Sequence, residues 1–227
     1  MNKITVILGH YGSGKTQIAV NYALYLASEH KSVGAESARP GIMLADLDIV
    51  NPYFRTTDSA DLLASHGIRL VASDYANSGL DVPSMPPAAL AAFDNPDTYA
   101  VLDVGGDDRG ALALGRYTDR LKSANIWLVI NRFRPMTSTV NGTLTIMREI
   151  EAAANVKVNG LINNSNLGAE TTAKDIISSG AYADEVSAVS GLPIIMTTVC
   201  DWLYDEVSQI VKSPFRLDIF SKKAWRL

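Results

Sequence analysis

A glycine-rich stretch near the start of the chain has the residue types and the spacing that hold phosphate. The stretch GHYGSGKT, residues 9–16, matches the pattern G-x-x-x-x-G-K-[ST] through Gly9, Gly14, Lys15 and Thr16. It follows the apolar run ITVIL and precedes the helical pattern QIAVNYALYLA, which is the strand–loop–helix context that the pattern requires. Glycines let backbone N–H groups turn toward phosphate oxygens, Lys15 reaches the outer phosphates, and the Thr16 hydroxyl ligates Mg²⁺. The stretch therefore predicts a nucleotide site.

Two predicted strand ends supply the carboxylates that a metal beside a triphosphate needs. In IMLADLDIVNPYF, Asp46 and Asp48 are two residues apart, so a strand directs both to one face at the C-terminal edge of the sheet. In YAVLDVGGDDRGA, Asp103 ends an apolar strand, and the backbone of the nearby Gly106 can approach a γ-phosphate closely. We predict a metal site formed by Thr16, Asp48 and Asp103. The alternative for either Asp46 or Asp48 is a cap on the following turn.

Short β-rich apolar runs alternate with longer helical patterns along the chain, which is typical of a parallel sheet. The candidate strands are residues 3–9, 42–48, 68–72, 99–105, 125–131, 158–164 and 193–198. Two apolar helical faces are predicted, one from Ile18, Ala19, Tyr22, Ala23 and Leu26, and one from Val140, Leu144, Met147 and Ile150. Helices are expected to start at Thr171–Thr172 and at Asp201, and one to stop at Gly67. We predict an α/β three-layer sandwich with a mostly parallel central sheet of seven strands.

The composition indicates one domain and excludes several kinds of site. A chain of 227 residues that is 47% apolar and 19% charged fits a single α/β domain, which we assign to residues 1–213. A net charge of −4 gives no general electrostatic case for binding nucleic acid or an anionic membrane. Cys200 is the only cysteine, so disulfide frameworks and iron–sulfur sites are unsupported. Strand-like residues begin at Lys3 and no run approaches 18 apolar residues, so we expect a cytoplasmic protein.

Several segments resemble, in order, the motifs of one ATPase group. GHYGSGKT, ADLDIVNP, VLDVGGDD, INRFRP and GLINNSNLG resemble the deviant Walker A, first switch, second switch and nucleotide-base segments of the MinD/ParA/nitrogenase iron protein group. The similarity runs over residues 3–200 and is closest to the MinD-superfamily ATP-binding proteins of that SIMIBI class of P-loop NTPases. It implies a P-loop fold, ATP and Mg²⁺ as ligands, slow ATP hydrolysis, and an ATP-dependent homodimer that acts on a partner protein.

The glycine-rich loop departs from the pattern of that group. The usual loop is G-K-G-G-x-G-K-T, so His10 replaces a lysine that reaches the partner's phosphates across a dimer, and Tyr11 replaces a glycine. The resemblance therefore implies an altered dimer contact, with His10 either a weak nucleotide contact or a surface residue. Four arginines in or beside predicted strand-end loops are candidate replacement cations, namely Arg55, Arg109, Arg132 and Arg134.

The resemblance also assigns the base and the remaining contacts. Guanine recognition in many P-loop GTPases uses N-K-x-D, whereas residues 131–134 read NRFR and end in a cation. The segment GLINNSN resembles the strand end whose asparagine amide contacts adenine, which favours Asn164 over Asn163; the alternative is an Asn-rich turn that bonds to its own backbone. Lys15 and Asp48 are assigned to catalysis. The assigned nucleotide contacts are Gly9, Tyr11, Gly12, Ser13, Gly14, Lys15, Thr16, Gln17, Gly106 and Asn164.

The tail, residues 214–227, leaves the fewest clues about function. Leu217, Phe220, Ala224 and Leu227 have helical spacing beside basic residues, as in the membrane-surface helix of MinD. Only 13 residues follow Pro214, and an isolated helix of that length is marginal, so a tail packed on the body is favoured over membrane binding.

Two other functions remain beside the ATPase switch. One is an ATP-dependent small-molecule ligase or kinase of the cobyrinic or dethiobiotin synthase kind, with the loop 73–90 in its substrate pocket. The other is a noncatalytic nucleotide-binding adaptor. Asp48 and Asp103 favour retained Mg²⁺ chemistry over the adaptor.

Overall fold

The computed structural model contains a single sheet in which every paired strand runs parallel to its neighbour. The structure describes residues 2–31, 40–47, 59–72, 87–95, 97–105 and 108–220. Within these ranges the strands are β1 (Ile4–Leu8), β2 (Gly41–Leu47), β3 (Ile68–Ala72), β4 (Thr98–Val104), β5 (Asn125–Ile130), β6 (Gly160–Asn163), β7 (Ile194–Cys200) and β8 (Pro214–Leu217). Their order across the sheet is β3-β2-β4-β1-β5-β6-β7-β8.

Helices cover both faces of this sheet. They are α1 (Lys15–Lys31), α2 (Ala60–Ser65), α3 (Pro87–Asp94), α4 (Asp108–Gly115), α5 (Val140–Ala154), α6 (Ala173–Ser190) and α7 (Tyr204–Val207). Short 3₁₀ turns lie at Thr118–Leu121, Pro135–Thr137, Gly168–Glu170 and Asp201–Leu203. None of the helices in these ranges is long and apolar enough to cross a lipid bilayer.

Alternating side chains of the strands fill two separate cores. In β1, Val6 and Leu8 pack with residues of α3, α4, α5 and α6, whereas Ile7 packs with residues of α1 and α2. This alternation follows from the two-residue period of a strand, and it makes every central strand apolar on both faces. The predicted three-layer α/β sandwich is therefore confirmed. The predicted apolar face of α1 is buried throughout, as are Leu144, Met147 and Ile150 of α5.

All seven predicted strands are present, and each of their ends lies within two residues of the prediction. The eighth strand, β8, differs from the prediction because its residues were assigned to a tail with helical spacing. Leu217 is 2% exposed and lies opposite Cys200 of β7, while Pro214 stands at the first position of the strand, where a missing N–H is tolerated. The described start of the tail is therefore part of the sheet. Residues 221–227 lie outside the described ranges.

The connections create a crevice at the C-terminal end of β1. After β1 the chain crosses to β2 on one side of the sheet, and after β4 it returns past β1 to β5 on the other side. β1 thus lies between β4 and β5, and the loops that follow these three strands leave the same edge in diverging directions. Parallel α/β sheets bind ligands at such a switch point.

The predicted helix boundaries are set by local hydrogen bonds. Thr172 is the N-cap of α6, where its hydroxyl accepts from the Asp175 amide at 3.3 Å and the Asp175 carboxylate accepts from the Thr172 amide at 2.9 Å. This reciprocal pair is a capping box. Gly67 follows α2 with a φ of +71°, as expected for a helix stop. Asp201 begins a 3₁₀ turn rather than the α-helix itself.

The capping box predicts a pH-dependent contribution to stability. The hydrogen bond from the Thr172 hydroxyl lowers the pKa of Asp175 below its ordinary value of 3.8. A group whose pKa is lowered by folding stabilises the fold above its ordinary pKa, and that stabilisation is lost as the pH falls through the lowered value. Thr172→Ala should therefore lower the free energy of unfolding at neutral pH, and lower it by less in acid.

Urea denaturation at a series of pH values measures this effect. Thr139→Ala is the matched control, because Thr139 caps α5 by accepting from the Gly142 amide without any carboxylate in the cap. Its cost should stay constant over the same pH range. A Thr172→Ala cost that is equally independent of pH would contradict the interpretation.

Candidate nucleotide-binding site

The glycine-rich loop connects β1 to α1 at the switch point. Gly12 and Gly14 have φ values of +74° and +92°, in the left-handed region that favours glycine, and this conformation turns successive N–H groups toward one point. The Ser13 amide donates to the His10 carbonyl at 3.1 Å and closes the turn, and α1 begins at Lys15. A β-carbon on Gly9 would lie 2.9 Å from the carbonyl oxygen of Val129, so the loop lies directly against β5. The result is a loop of amides that ends on a helix N-terminus.

Three polar side chains of this loop are buried. Ser13, Lys15 and Thr16 are 1%, 4% and 5% exposed, respectively. The Ser13 hydroxyl has no hydrogen-bond partner within the described residues. A lysine is seldom so deeply buried unless negative charge lies nearby. The interior of the loop is therefore polar and suited to an anion.

Two carboxylates lie side by side on neighbouring strands beneath the loop. Asp103 of β4 is opposite Ile7 of β1 and opposite Asp46 of β2, and the two aspartates are 0% and 8% exposed, respectively. Residues in register on parallel strands point to the same face, and Ile7 belongs to the core that α1 covers. Both carboxylates therefore face the layer of α1, which Lys15 begins.

Asp46 lies inside β2, and the turn that follows this strand is outside the described residues. The alternative that Asp46 or Asp48 caps that turn therefore stays a prediction. Asp48 and Gly106, the two remaining predicted contributors from these strand ends, lie outside the described residues. Their roles stay predictions.

The donors at this edge fit Mg²⁺. They are the two adjacent carboxylates and the Thr16 hydroxyl, all of them oxygen ligands. The described ranges contain no group of three or more His, Cys, Asp or Glu side chains that could hold a metal unaided. Mg²⁺ is usually held by one or two carboxylates together with phosphate oxygens and water, so this set suits a metal that arrives with a nucleotide.

Asn164, the predicted adenine contact, is hydrogen-bonded to the glycine-rich loop. Its side-chain amide donates to the Ser13 carbonyl at 2.6 Å, and its side-chain oxygen accepts from Thr198 at 2.6 Å and from Asn166 at 2.9 Å. A β-carbon on Gly14 would collide with the same amide. Asn164 therefore holds the loop against β6, and Thr198 orients Asn164. Nothing in the sequence marks Thr198 for this role except its place at the end of a predicted strand.

Asn163 faces a different part of the molecule. Its amide donates to the Ser179 hydroxyl at 2.9 Å and its oxygen accepts from the Ser165 hydroxyl at 2.7 Å. The alternative interpretation was an Asn-rich turn that bonds to its own backbone. Asn166 makes one such bond, because its side-chain amide donates to the backbone carbonyl of Asn164 at 3.1 Å. The adenine contact of Asn164 stays a prediction.

The loop that follows β5 brings one candidate arginine to the glycine-rich loop. A β-carbon on Gly12 would lie 3.6 Å from both Cζ and Nε of Arg134. The Arg132 guanidinium instead donates to the Ser178 carbonyl of α6 at 3.1 Å. Arg55 and the side chain of Arg109 lie outside the described part of the chain.

Hydrogen bonds hold this loop in one shape. The Asn131 carbonyl accepts from the Thr137 hydroxyl at 2.7 Å and from the Arg134 amide at 3.1 Å. Tyr182 of α6 donates to the Thr137 carbonyl at 2.8 Å, and burial raises the pKa of its hydroxyl, which keeps the donor proton in place. The segment 131–137 is therefore fixed between β5 and α6.

His10 and Tyr11 are the two residues at which the glycine-rich loop departs from the usual pattern. The His10 ring contacts the Tyr11 carbonyl through Nδ1 at 3.0 Å, so that nitrogen must carry a proton and donate. The Tyr11 side chain is 50% exposed.

The Gln17 side chain of α1 donates to the Asp218 carbonyl beyond β8. Asn21 exchanges hydrogen bonds of 2.9 Å with the backbone of Asp218. The Gln17 side chain is therefore engaged at the C-terminal segment, and its nucleotide contact stays a prediction.

Solved structures share the fold of this chain. The cell division protein FtsY of Thermotoga maritima aligns with a TM-score of 0.54 and 19% identity over 86% of this chain and 61% of its own. The signal recognition particle receptor FtsY of Elizabethkingia anophelis, solved in complex with GDP, aligns with a TM-score of 0.48 and 17% identity over 84% of this chain and 55% of its own. This chain thus spans less than two thirds of either protein.

No protein-family model matches the sequence, and no curated protein is detectably similar to it. The likeness to the Thermotoga protein shows the fold alone, a parallel α/β sheet with helices on both faces. The predicted α/β architecture is thereby confirmed.

The contacts of Asn164 predict that it acts on phosphate binding through the loop. Asn164→Ala and Asn163→Ala each remove a buried amide, so each should lower the free energy of unfolding by about 1–3 kcal/mol. Only Asn164→Ala should also weaken the binding of inorganic tripolyphosphate, because only Asn164 holds the Ser13 carbonyl. Isothermal calorimetry with tripolyphosphate and with ATP measures both affinities.

The base-free probe separates the two roles of Asn164. If Asn164→Ala weakened ATP binding while leaving tripolyphosphate binding unchanged, the side chain would be reading the base rather than positioning the loop. An equal loss of tripolyphosphate affinity in Asn163→Ala and Asn164→Ala would also contradict the assignment, since Asn163 does not contact the glycine-rich loop.

Proposed function

We propose that the protein binds ATP with Mg²⁺, hydrolyses it slowly, and uses the bound nucleotide to control a homodimer that acts on a partner protein. One observation carries the proposal. The sequence GHYGSGKT lies at the switch point of a P-loop NTPase fold, with Lys15 and Thr16 buried in the loop and Asp46 and Asp103 paired in register beneath it. This combination of amides, one ammonium and paired carboxylates matches the requirements of a Mg²⁺-bound polyphosphate.

Each of these groups has a defined chemical task in the proposal. The amides of residues 12–16 and the Lys15 ammonium neutralise the β- and γ-phosphates. The Thr16 hydroxyl and the carboxylates of Asp48 and Asp103, with Asp46 beside Asp103, would hold Mg²⁺, which would supply further neutralisation of the phosphate oxygens. Asp48 is proposed to position the attacking water, and the Gly106 backbone to approach the γ-phosphate. Catalysis then depends on positioning and charge rather than on a covalent intermediate.

The loop after β5 supports ATP over GTP. Asn131 is 1% exposed, its side-chain oxygen accepts from the Phe133 amide at 2.9 Å, and its amide donates to the Asn166 carbonyl. Where the N-K-x-D pattern has the aspartate that reads guanine, this chain has Arg134, whose guanidinium can only donate. The loop therefore lacks the carboxylate acceptor that guanine recognition needs at that position.

Exposed apolar side chains at the same edge support a partner surface around the nucleotide. Tyr11, Met136 and Leu167 are 50%, 52% and 46% exposed, respectively, and they lie in the loops that follow β1, β5 and β6. Exposed large apolar residues gathered at one edge favour a protein contact there. A second copy that docked on this edge would cover the nucleotide, which is how the γ-phosphate would control dimerisation.

Phosphate release and sedimentation test the proposal without an added acceptor. The natural chain should release phosphate from ATP and sediment as a dimer with ATP but not with ADP. Lys15→Ala should lower ATP turnover by about a hundredfold or more, because it removes the cation that neutralises the outer phosphates. Lys157→Ala is the matched control, since Lys157 pairs with Glu151 at the opposite edge of the sheet and should leave turnover unchanged.

The other outcomes identify the alternatives. Phosphate release only after a metabolite mixture is added would indicate a small-molecule ligase or kinase instead of the switch. Nucleotide binding without phosphate release in any mixture would indicate the noncatalytic adaptor. Tighter binding and faster turnover of GTP would reject the choice of base, and Asp48→Ala should trap the ATP-bound dimer if Asp48 positions the water.

A further inference from the structure

We propose that Arg134 is a second phosphate-binding cation of the nucleotide site, supplied within the chain by the loop after β5. The inference rests on the proposed function, because it concerns how the same site holds a triphosphate. It names a residue that the sequence alone could not separate from three other arginines.

The Arg134 guanidinium lies close to the bend of the glycine-rich loop. The β-carbon position of Gly12 lies 3.6 Å from Arg134 Cζ, 3.6 Å from Nε and 3.9 Å from Nη1. Because Gly12 is a bend residue with a φ of +74°, its neighbouring amides face the space where an anion would bind. A guanidinium at this distance from the bend is within reach of the oxygens of such an anion.

The Arg134 guanidinium is not engaged by another group in the described part of the chain. Its side chain is exposed, and among those residues its guanidinium makes no ion pair and no side-chain hydrogen bond. An arginine carries five N–H donors in a planar fork that matches phosphate oxygens, so an unengaged fork beside a phosphate loop has a chemically suitable ligand close by.

Hydrogen bonds hold the backbone of Arg134 on both sides. Its amide donates to the Asn131 carbonyl at 3.1 Å, and its carbonyl accepts from the Thr137 amide at 3.0 Å. Pro135 follows directly and fixes its own φ. A cation on a braced loop loses less conformational entropy on binding than one on a free loop, which increases the affinity gained from each contact.

Arg132 provides an internal comparison, since it has the same charge and lies two residues earlier in the same loop. Its Nη1 donates to the Ser178 carbonyl at 3.1 Å, and its Cζ lies 5.8 Å from the centre of the Phe133 ring. These contacts direct it toward α6 and away from Gly12. The loop therefore presents one arginine to the glycine-rich loop and engages the other elsewhere.

The geometry gives the site two cations on different sides of the bound phosphates. Lys15 is buried at the start of α1, whereas Arg134 approaches the bend at Gly12 from the exposed side. Because both belong to one chain, the contribution of Arg134 to phosphate binding should already be present in the monomer.

Calorimetric titration of Arg134→Ala, Arg134→Lys and Arg132→Ala with Mg·ATP and with inorganic tripolyphosphate tests the inference. Arg134→Ala should weaken both ligands by about tenfold or more, as expected for loss of a charge-assisted hydrogen bond. Arg134→Lys should recover part of the loss, because the charge returns without the fork. Arg132→Ala should bind both ligands within about twofold of the natural chain, and the unfolding midpoint of Arg134→Ala should be unchanged because its side chain is exposed.

Three results would overturn the inference. The first is Arg134→Ala binding both ligands as the natural chain does. The second is an equal loss in Arg132→Ala, which would reflect net charge rather than position. The third is a loss for ATP without a loss for tripolyphosphate, which would place Arg134 at the base. If the natural chain itself bound neither ligand, the proposed function would fail instead, so the two failures are distinguishable.

Discussion

The arrangement of charge at the C-terminal end of β1 constrains the rest of the site. Removing an ammonium group from water is costly unless negative charge lies close to it, and Lys15 is 4% exposed. The fold meets this requirement by placing β4 beside β1 and β2 beside β4, so that Asp103 and Asp46 share the face on which α1 begins. The order of three strands, rather than any single residue, therefore creates an environment in which a buried lysine is tolerated.

The same arrangement explains why a divalent cation belongs in the proposal. Two carboxylates on one face and a polyphosphate in the loop above them would repel each other, and one lysine cannot neutralise both groups. Mg²⁺ held by these carboxylates and the Thr16 hydroxyl would supply the positive charge that offsets this repulsion. ATP binding by this chain should then depend on the metal more strongly than on any single side chain of the loop.

The glycine-rich loop is connected to segments that are distant in sequence. Asn164 at the end of β6 bonds to the carbonyl of Ser13, and Gln17 and Asn21 of α1 bond to the backbone of Asp218 beyond β8. The start of α1 is thus attached on one side to the strand-end loops and on the other to the C-terminal segment. The glycine-rich loop and Asp218 are therefore joined through the first turn of α1, since Gln17 directly follows Thr16.

The sequence predicts the parts of this molecule that repeat and misses those that depend on irregular backbone. Apolar runs of five to seven residues located seven strands, because burial on both faces leaves a continuous apolar signal. β8 was missed because Pro214 and Arg216 interrupt the apolar signal of its four residues, and the spacing of Leu217 and Phe220 suggested a helix instead. The helix start at Thr171–Thr172 was predicted because the signal for a helix N-terminus is local.

Side-chain direction in the loops was beyond the sequence for a physical reason. Arg132 and Arg134 are two residues apart, but between β5 and the 3₁₀ turn at Pro135 the backbone follows no regular period, so spacing does not say which arginine faces Gly12. Asn163 and Asn164 pose the same problem at the end of β6, where the strand stops and alternation no longer applies. The bond from Asn164 to Ser13 joins residues 151 positions apart, and it follows only from the order of β1, β5 and β6 in the sheet.

The position of Arg134 also bears on how the proposed switch would respond to hydrolysis. In the proposal, Lys15 and Arg134 approach the phosphates from the buried and the exposed side, respectively, and only Arg134 lies at the edge where Tyr11, Met136 and Leu167 are exposed. Loss of the γ-phosphate would leave the buried lysine held by the remaining phosphate and the carboxylates, whereas the exposed arginine would lose part of its ligand. Met136 follows Arg134 by two residues on the same braced loop, so the apolar edge is linked most directly to the cation that hydrolysis releases. A second copy that docked there would therefore respond to the state of the nucleotide through Arg134 as well as by covering the site.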